Sequence, residues 1–548
     1  KVKYAGQTVS DFEDLPDVGS DKDIVKVTGT ADITEDDYYV RWNGNNWEEA
    51  LGYNQQEALD PSTMPHVLCD NGDGTWTVEP YTWAERQVGD SHVNETPSFV
   101  GQNISDLFFF QGRFGICSGE SVIMSEGKYY NNFYRTTCVQ LEDDDRIDVQ
   151  LRFNRIEIPH AAVVVQDELM LFSARGQFSM GAGGAVLSPK TVSVKQVGDF
   201  LTSPNVAPYS LGNTAFFTSE VGDFTTAREF YIGSATDERL QSNDLTIQCT
   251  QYIPDQARYI SASRDHKILF VLTRSQPTKI YVYKFEYDGQ SKVQSAWCEW
   301  ELGIGNIESL SVMGSHLYIV STLNSQRELS RIDIRDQQDL IGTEKLRLDM
   351  QSLPSASYHA NGYGGGGDQA ETLLNIPFDG TDVAEVWNLD GGYAIPVDRY
   401  TRGGNLFVKG DYTDLVAQNK IVVGIPYDMD VKLSTFYMKA PKKPQGEILV
   451  TDGRLTIQFI NVAYTDTAAF DVEVANKGRD NKTYYAGPKA GFSVVKYGEV
   501  PKTSGSLRVP IQSRNDNAEI SIKNPYPFGS TILHVDWFGK HIPNARRI

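Results

Sequence analysis

Paired cysteines are missing from this chain. Its five, Cys69, Cys117, Cys138, Cys249 and Cys298, stand singly. With no CxxC pair, neither a zinc site nor a disulfide framework is indicated, and reduced, mostly buried thiols are expected. Long apolar runs are missing too. No stretch approaches the ~20 residues that cross a bilayer as a helix, and no charged-then-apolar leader opens the chain, so no stable membrane insertion is expected. Basic residues are scarce: 50 Lys and Arg face 72 Asp and Glu, a formal charge of −22. That argues against a protein that grips nucleic acid through phosphate contacts. An acidic wall can still serve DNA by repelling it, although solubility is the plainer meaning of such a charge.

Catalytic signatures are absent as well. There is no GxxxxGK[ST] loop, no GxSxG elbow and no HExxH, and the eight histidines lie far apart in the chain. Gly362, Gly364 and Gly367 spell GxGxxG, but a dinucleotide site needs a strand before that motif and a helix after it, and neither is evident. A flexible loop is the plainer interpretation. No catalytic residue, cofactor site or metal site is expected.

What the chain does have is β-strand patterning. Helical periodicity is hard to find, whereas β-branched and aromatic alternation recurs, as in Lys279-Ile-Tyr-Val-Tyr-Lys-Phe-Glu-Tyr287 followed by an Asp288-Gly289 turn signal. At 548 residues the chain is too long for one ordinary core, and two to four domains or a repeat architecture is expected. It opens on Lys1 rather than Met, so a processed or trimmed chain is expected.

A weak repeat organises the centre. A tight polar turn feeding an apolar strand recurs at Gly112-Arg113-Phe114, Asp167-Glu168-Leu169, Gly212-Asn213-Thr214-Ala215, Asp265-His266-Lys267-Ile268 and Gly314-Ser315-His316-Leu317. The first apolar residues are 55, 46, 53 and 49 positions apart. Each unit continues through a polar turn into a second strand, as from Leu169–Phe172 to Phe178–Met180. Repeats of ~40–50 residues with several strands suit β-propeller blades; the competing arrangement is an irregular pair of β-sandwiches. After Asp349 the turn formers multiply, with four glycines at Gly364–Gly367. The fold expected is therefore mainly β, a β-propeller-like domain plus an additional β-rich domain. The boundaries expected are 1–95 for an N-terminal β-rich segment, 96–345 for the blades, 346–505 for a loop-rich second domain and 506–548 for strands returning to the propeller. Within the second domain, 446–464 reads as two paired strands.

Two segments stand out as candidate sites. The acidic run Glu142-Asp-Asp-Asp145 with Asp148 offers hard oxygen ligands but lacks the glycine turn and terminal Glu of a calcium loop. Asp143, Asp144, Asp145 and Asp148 are instead candidates for an acidic interface. Gly362, Gly364, Gly367 and Asp368 are candidates for a gate loop, because glycines let a loop fold inward and retract. Carboxylate pairs for glycoside hydrolysis cannot be singled out among 72 acids. Tryptophans such as Trp297 and Trp300 could stack on sugars, although cores and blade interfaces explain them as well.

The stretch Thr96–Ile147 carries a more specific signal. It runs PSFVG at 97–101, a phenylalanine-rich strand at 107–110, RFGICSGESVIMS at 113–125, the aromatics Tyr129, Tyr130, Phe133 and Tyr134, then an acidic box ending at Asp148. With Tyr38-Tyr-Val40, Trp42, Trp47, Thr63-Met-Pro-His66, Trp83, Arg86, Arg228-Glu229, Ala296-Trp-Cys-Glu-Trp300 and a closing Trp537-Phe-Gly539 before Arg546-Arg547, the order resembles the tail tubular protein B, or tail nozzle, family of short-tailed bacteriophages. The resemblance covers most of the chain but lacks the family's N-terminal segment. It implies a non-enzymatic structural role: six copies forming the distal nozzle around a DNA ejection channel, with a propeller-like domain, a platform and a tip. It further implies the tail tubular A adaptor as a neighbour, tail fibres or spikes at the side, double-stranded DNA in transient passage, assembly in the host cytoplasm and residence in the virion tail. The alternative is a glycan-binding or glycan-hydrolysing propeller acting in host adsorption.

Overall fold

The computed structural model describes residues 4–20, 23–28, 37–53, 55, 58–151, 153, 155–232, 240–288, 291–323, 325–335, 346–363, 369–378, 383–390, 394–441, 447–488 and 501–543. Among them the structure is almost wholly β, with one five-residue α-helix, Thr413–Ala417. The chain divides into two compact units, 1–276 with 280–299, and 277–279 with 300–548.

In the first unit four antiparallel four-stranded sheets follow one another, each ordered as in the sequence. The first sheet holds Ile104–Phe110, Arg113–Ser118, Ser121–Met124 and Ile147–Gln150. Ala161–Val165, Glu168–Phe172, Gln177–Gly181 and Ser193–Gly198 make the second. The third holds Tyr209–Ser210, Thr214–Val221, Phe224–Ile232 and Leu240–Asp244, and the fourth Ala257–Ser263, Ile268–Thr273, Lys279–Asp288 and Ser291–Glu301. This succession of four-stranded meanders is β-propeller-like. Four of the turn-and-strand repeats, at Phe114, Leu169, Ala215 and Ile268, each lie at or near the start of a sheet's second strand. The fifth, at Leu317, lies on His316–Leu323 in a three-stranded sheet of the second unit. Ahead of the blades stand a mixed sheet of Tyr4–Val9, Ile24–Val27, Tyr38–Trp42 and Trp47–Glu49, whose first two strands run parallel, and a hairpin of His66–Asp70 with Trp76–Pro80.

Side-chain alternation sets the stacking. Successive strand residues point to opposite faces, and in the second sheet Leu169 and Leu171 join the core shared with the first sheet, beside Phe108, Val122 and Met124. Met170 and Phe172 join the core shared with the third, beside Phe217 and Phe230. Phe216, one residue from Phe217, packs the opposite way, with Leu269, Val271 and Tyr281 of the fourth sheet. Neighbouring sheets are also tied by hydrogen bonds. The Ala162 N–H donates to Asp106 Oδ2 at 2.7 Å, Ser210 Oγ donates to the Val164 carbonyl at 2.6 Å, and Thr225 Oγ1 donates to the Asp255 carbonyl at 2.6 Å.

The second unit contains two further β cores. In one, the sheet of Asp349–Ser352, Ile421–Ile425, Glu385–Asn388 and Ile395–Val397 shares Leu374, Leu406, Val408, Val386 and Val423 with the sheet of Ser355–His359, Glu371–Asn375, Asn405–Lys409 and Arg399–Arg402. In the other, the 14-residue strand Arg454–Thr467 lies between Thr503–Arg514 and Thr531–Ile542 and packs against Phe470–Asn476 and Ala518–Asn524. The C-terminal strands were expected to rejoin the blades. They pair instead inside the second unit, where 503–514 and 531–542 fill the two edges of Arg454–Thr467, a strand long enough to match each along most of its length. The two strands expected to pair within 446–464 also separate: Glu447–Val450 pairs with Met438–Pro441, and Arg454–Thr467 with its own neighbours.

One close approach in the first sheet is testable. Phe108 faces Gly115 across the ladder, and a Cβ on Gly115 would lie 2.1 Å from Phe108 Cζ. This is an aromatic ring laid over a bare glycine. Gly115→Ala is expected to cost about 1–3 kcal/mol by overpacking. Adding Phe108→Leu should recover part of that loss, a non-additivity measured by denaturant unfolding of the two single variants and the double.

Candidate functional site

The acidic run forms the lid of a buried arginine. Arg113 opens the second strand of the first sheet and is 3% exposed. Its Nη1 donates to the carbonyls of Ser125 at 2.8 Å, Asp144 at 3.1 Å and Asp145 at 2.6 Å, and its Nη2 to that of Asp143 at 2.9 Å. The planar fork of a guanidinium suits such a set of acceptors. Burial pulls Arg113 below its ordinary value, opposed by the nearby Asp144, Asp145 and Glu126.

The candidate interface residues therefore part company. Asp143 and Asp144 are exposed, and Asp143 meets Lys190 at 3.2 Å. Asp148 is half-buried and accepts the Ser98 N–H at 3.0 Å. Asp145 is 1% exposed, which corrects its assignment to an acidic surface. Its Oδ2 accepts the Glu142 N–H at 2.8 Å and lies 3.7 Å from Arg135 Nε, and burial raises its pKa. In the other candidate segment Gly362 sits at φ +76°, and Gly364, Gly367 and Asp368 lie outside the described residues. Among the described residues no cluster of His, Cys, Asp and Glu could hold a metal ion, and no helix is long and apolar enough to cross a membrane.

A feature not singled out from the sequence is a cleft of about 1250 Å³ between the outer strands of the third and fourth sheets. Phe224–Ile232 brings Arg228 and Glu229, and Leu240–Asp244 brings Asn243 and Asp244, set opposite them by the register. Lys279–Asp288 presents Tyr283 and Tyr287 from one face of its alternation, and Ser291–Glu301 brings Lys292 and Trp297. Glu229 is 3% exposed, with Oε1 accepting from Tyr287 Oη and Oε2 from Lys292 Nζ, both at 2.6 Å. Burial and then Glu229 push the Tyr287 hydroxyl up to about 12. Burial alone would lower Lys292, but its bonds to Glu229, Tyr287 and Tyr283 outweigh that and hold it above its ordinary value. Asp244 accepts at Oδ1 from the Thr246 N–H at 2.8 Å and Oγ1 at 2.7 Å, and its Oδ2 lies 3.9 Å from Arg228 Nη2. Both carboxylates thus have oxygens already engaged as hydrogen-bond acceptors, a poor geometry for the proton donation that glycoside hydrolysis demands.

The full chain, residues 1–548, matches the family described as bacteriophage nozzle protein. The chain belongs to that family. A relative, tail tubular protein gp12 of Escherichia phage T7, is 28% identical over 569 aligned positions that span 100% of this chain and 70% of that protein. The nozzle chain is accordingly a structural phage tail protein. Solved structures with some likeness include Hsv2 of Kluyveromyces marxianus, at 11% identity and TM-score 0.28 over 60% of this chain and 88% of that one. Another is the WD40 domain of Pan2 from Neurospora crassa, at 10% identity and TM-score 0.24 over 61% and 92%. Such scores bear on nothing beyond the comparison itself.

The signature segment of this nozzle chain thus performs a folding task, and Arg113→Ala is expected to cost about 3–5 kcal/mol by orphaning buried acceptors. Arg113→Lys, which keeps the charge without the fork, should recover less than half. Chemical denaturation measures both, and faster proteolysis within 126–146 would locate the damage. A pH effect comes from His160, which leads into the strand Ala161–Val165 and which burial pulls down to about 4. An unfolded His titrates near 6.5, so between those values the unfolded chain binds more protons. The fold loses about 3 kcal/mol as pH falls from about 6.5 to 4. His160→Gln should flatten that limb of a stability-versus-pH curve.

Proposed function

We propose that six copies of this chain form the distal nozzle of a short phage tail and enclose the channel through which double-stranded DNA leaves the virion. The ring is seated on the tail adaptor, with tail fibres or spikes beside it, after assembly in the host cytoplasm. The observation that carries this is the match of the chain from residue 1 to residue 548 to the nozzle family.

Charge supports the channel role. A ring multiplies the −22 of one chain, and acidic groups lining a bore repel DNA over the ~8 Å screening length of physiological salt. Asp143 and Asp144, both exposed, and the half-buried Asp148 remain the acidic positions proposed for a subunit or channel surface. The loop of Gly362, Gly364, Gly367 and Asp368 is the proposed gate, with the positive φ of Gly362 supporting the choice of glycine there.

Light scattering of the purified protein at moderate salt, alone and then with an adaptor ring, tests this. A sixfold particle, or one that forms only on the ring, is expected. A monomer that persists and ignores the ring would overturn the reading.

A further inference from the structure

The cleft between the third and fourth sheets is larger than the ~300–1,000 Å³ typical of small-molecule pockets, and its chemistry is unusual for a gap left by packing. One wall is aromatic: the half-buried Trp297, backed by the fully buried Tyr283 with ring centroids 4.9 Å apart, stands with the half-buried Tyr252 and, further along, the exposed Tyr287. These rings are held in place before any ligand arrives. Trp297 Nε1 donates to the Leu245 carbonyl at 2.9 Å, Tyr283 Oη shares a hydrogen bond with Ser295 Oγ at 2.9 Å, and Lys292 Nζ lies 5.4 Å from the Tyr283 ring and 5.1 Å from that of Tyr287. Ordering such a wall in advance removes an entropic cost from binding.

The charges in the cleft cancel internally. Lys292 pairs with Glu229 and Arg228 with Asp244, so a charged ligand would have to break a pair to find a partner. What remains on offer is neutral and polar, the exposed side chains of Asn243 and Gln248. Flat aromatic faces beside neutral donors and acceptors match one ligand class, a chain of rings with apolar C–H faces and hydroxyl rims.

We infer that this cleft is a binding site for a neutral oligosaccharide, which it holds without cleaving. Cleavage is excluded from the inference because Glu229 and Asp244 are engaged by Tyr287, Lys292 and Thr246, leaving neither carboxyl group free to protonate a leaving oxygen. The site goes beyond the tail assembly role and does not depend on how many copies assemble.

The test applies the purified protein to an array of neutral and acidic bacterial oligosaccharides, then titrates the strongest neutral binder by calorimetry. Trp297→Ala should weaken binding at least about tenfold. Ile247→Arg, at a cleft position 69% exposed, should do the same with unchanged thermal stability, which separates loss of the site from loss of the fold. Retention of no neutral glycan would overturn the inference, as would binding that Ile247→Arg leaves intact or a preference for acidic glycans. Release of reducing ends from the bound sugar would overturn its non-hydrolytic part.

Discussion

A strand covered on both faces has no side on which to place charge, and Leu169-Met-Leu-Phe172 meets that demand with four consecutive residues at 0% exposure. The first unit depends on this double burial. Odd and even positions of one strand serve different cores, so each sheet joins the one before it to the one after, and removing a large side chain opens a cavity in one interface while leaving the other. The Phe172 ring, 5.8 Å from Phe217 and 5.5 Å from Phe230, shows how far the coupling reaches: three rings from two sheets close one interface. Side-chain-to-backbone bonds such as Asp106 to Ala162 then set the lateral position of one sheet on the next, which apolar contact alone leaves loose.

The same demand explains the acidic run. Between Ser121–Met124 and Ile147–Gln150 the chain makes a long excursion without a strand, and backbone groups in such a segment need partners wherever they are buried. Arg113 supplies them from the neighbouring strand, reaching four carbonyls with one side chain. The carboxyl groups of Asp144, Asp145 and Glu126 nearby soften the cost of placing that cation inside. The segment with the most specific family resemblance is thus also one where the backbone of a loop is fastened to a blade.

Sequence pattern exposed some of these features and hid others, for a common reason. Alternation in Leu169–Phe172 or Lys279–Tyr287 says which residues share a face, and the turn chemistry ahead of Phe114, Leu169, Ala215 and Ile268 says where a strand starts; both signals are local. Partner choice is not local. The alternation of Thr531–Ile542 is compatible with any edge of suitable length, and its partner Arg454–Thr467 could be known only once that strand was seen to be 14 residues long. Register carries no mark of its own in either strand. Glu229 and Lys292 lie 63 positions apart, and no spacing rule links them. The tyrosines of 281–287 were visible as an alternating run, but a run that lines a cleft looks the same as one that lines a core.

Why a cleft opens between the third and fourth sheets while the second and third close tightly follows from strand length. The strands of the second sheet have five or six residues, whereas Phe224–Ile232 has nine and Lys279–Asp288 ten. Phe216, Leu269, Val271 and Tyr281 seal the part of the interface nearest the inner strands. Phe285 of the longer strand still meets Phe216 across the interface, at 5.8 Å between ring centroids, while Tyr287 beyond it is exposed. Lys292 adds to that packing: by bonding Glu229 and Tyr283 and lying against the Tyr287 ring, one ammonium group ties the exposed Tyr287 to the core-packed Tyr283. Glu229 in turn holds the Tyr287 hydroxyl through its other oxygen. The wall therefore keeps its shape whether or not anything occupies the space in front of it.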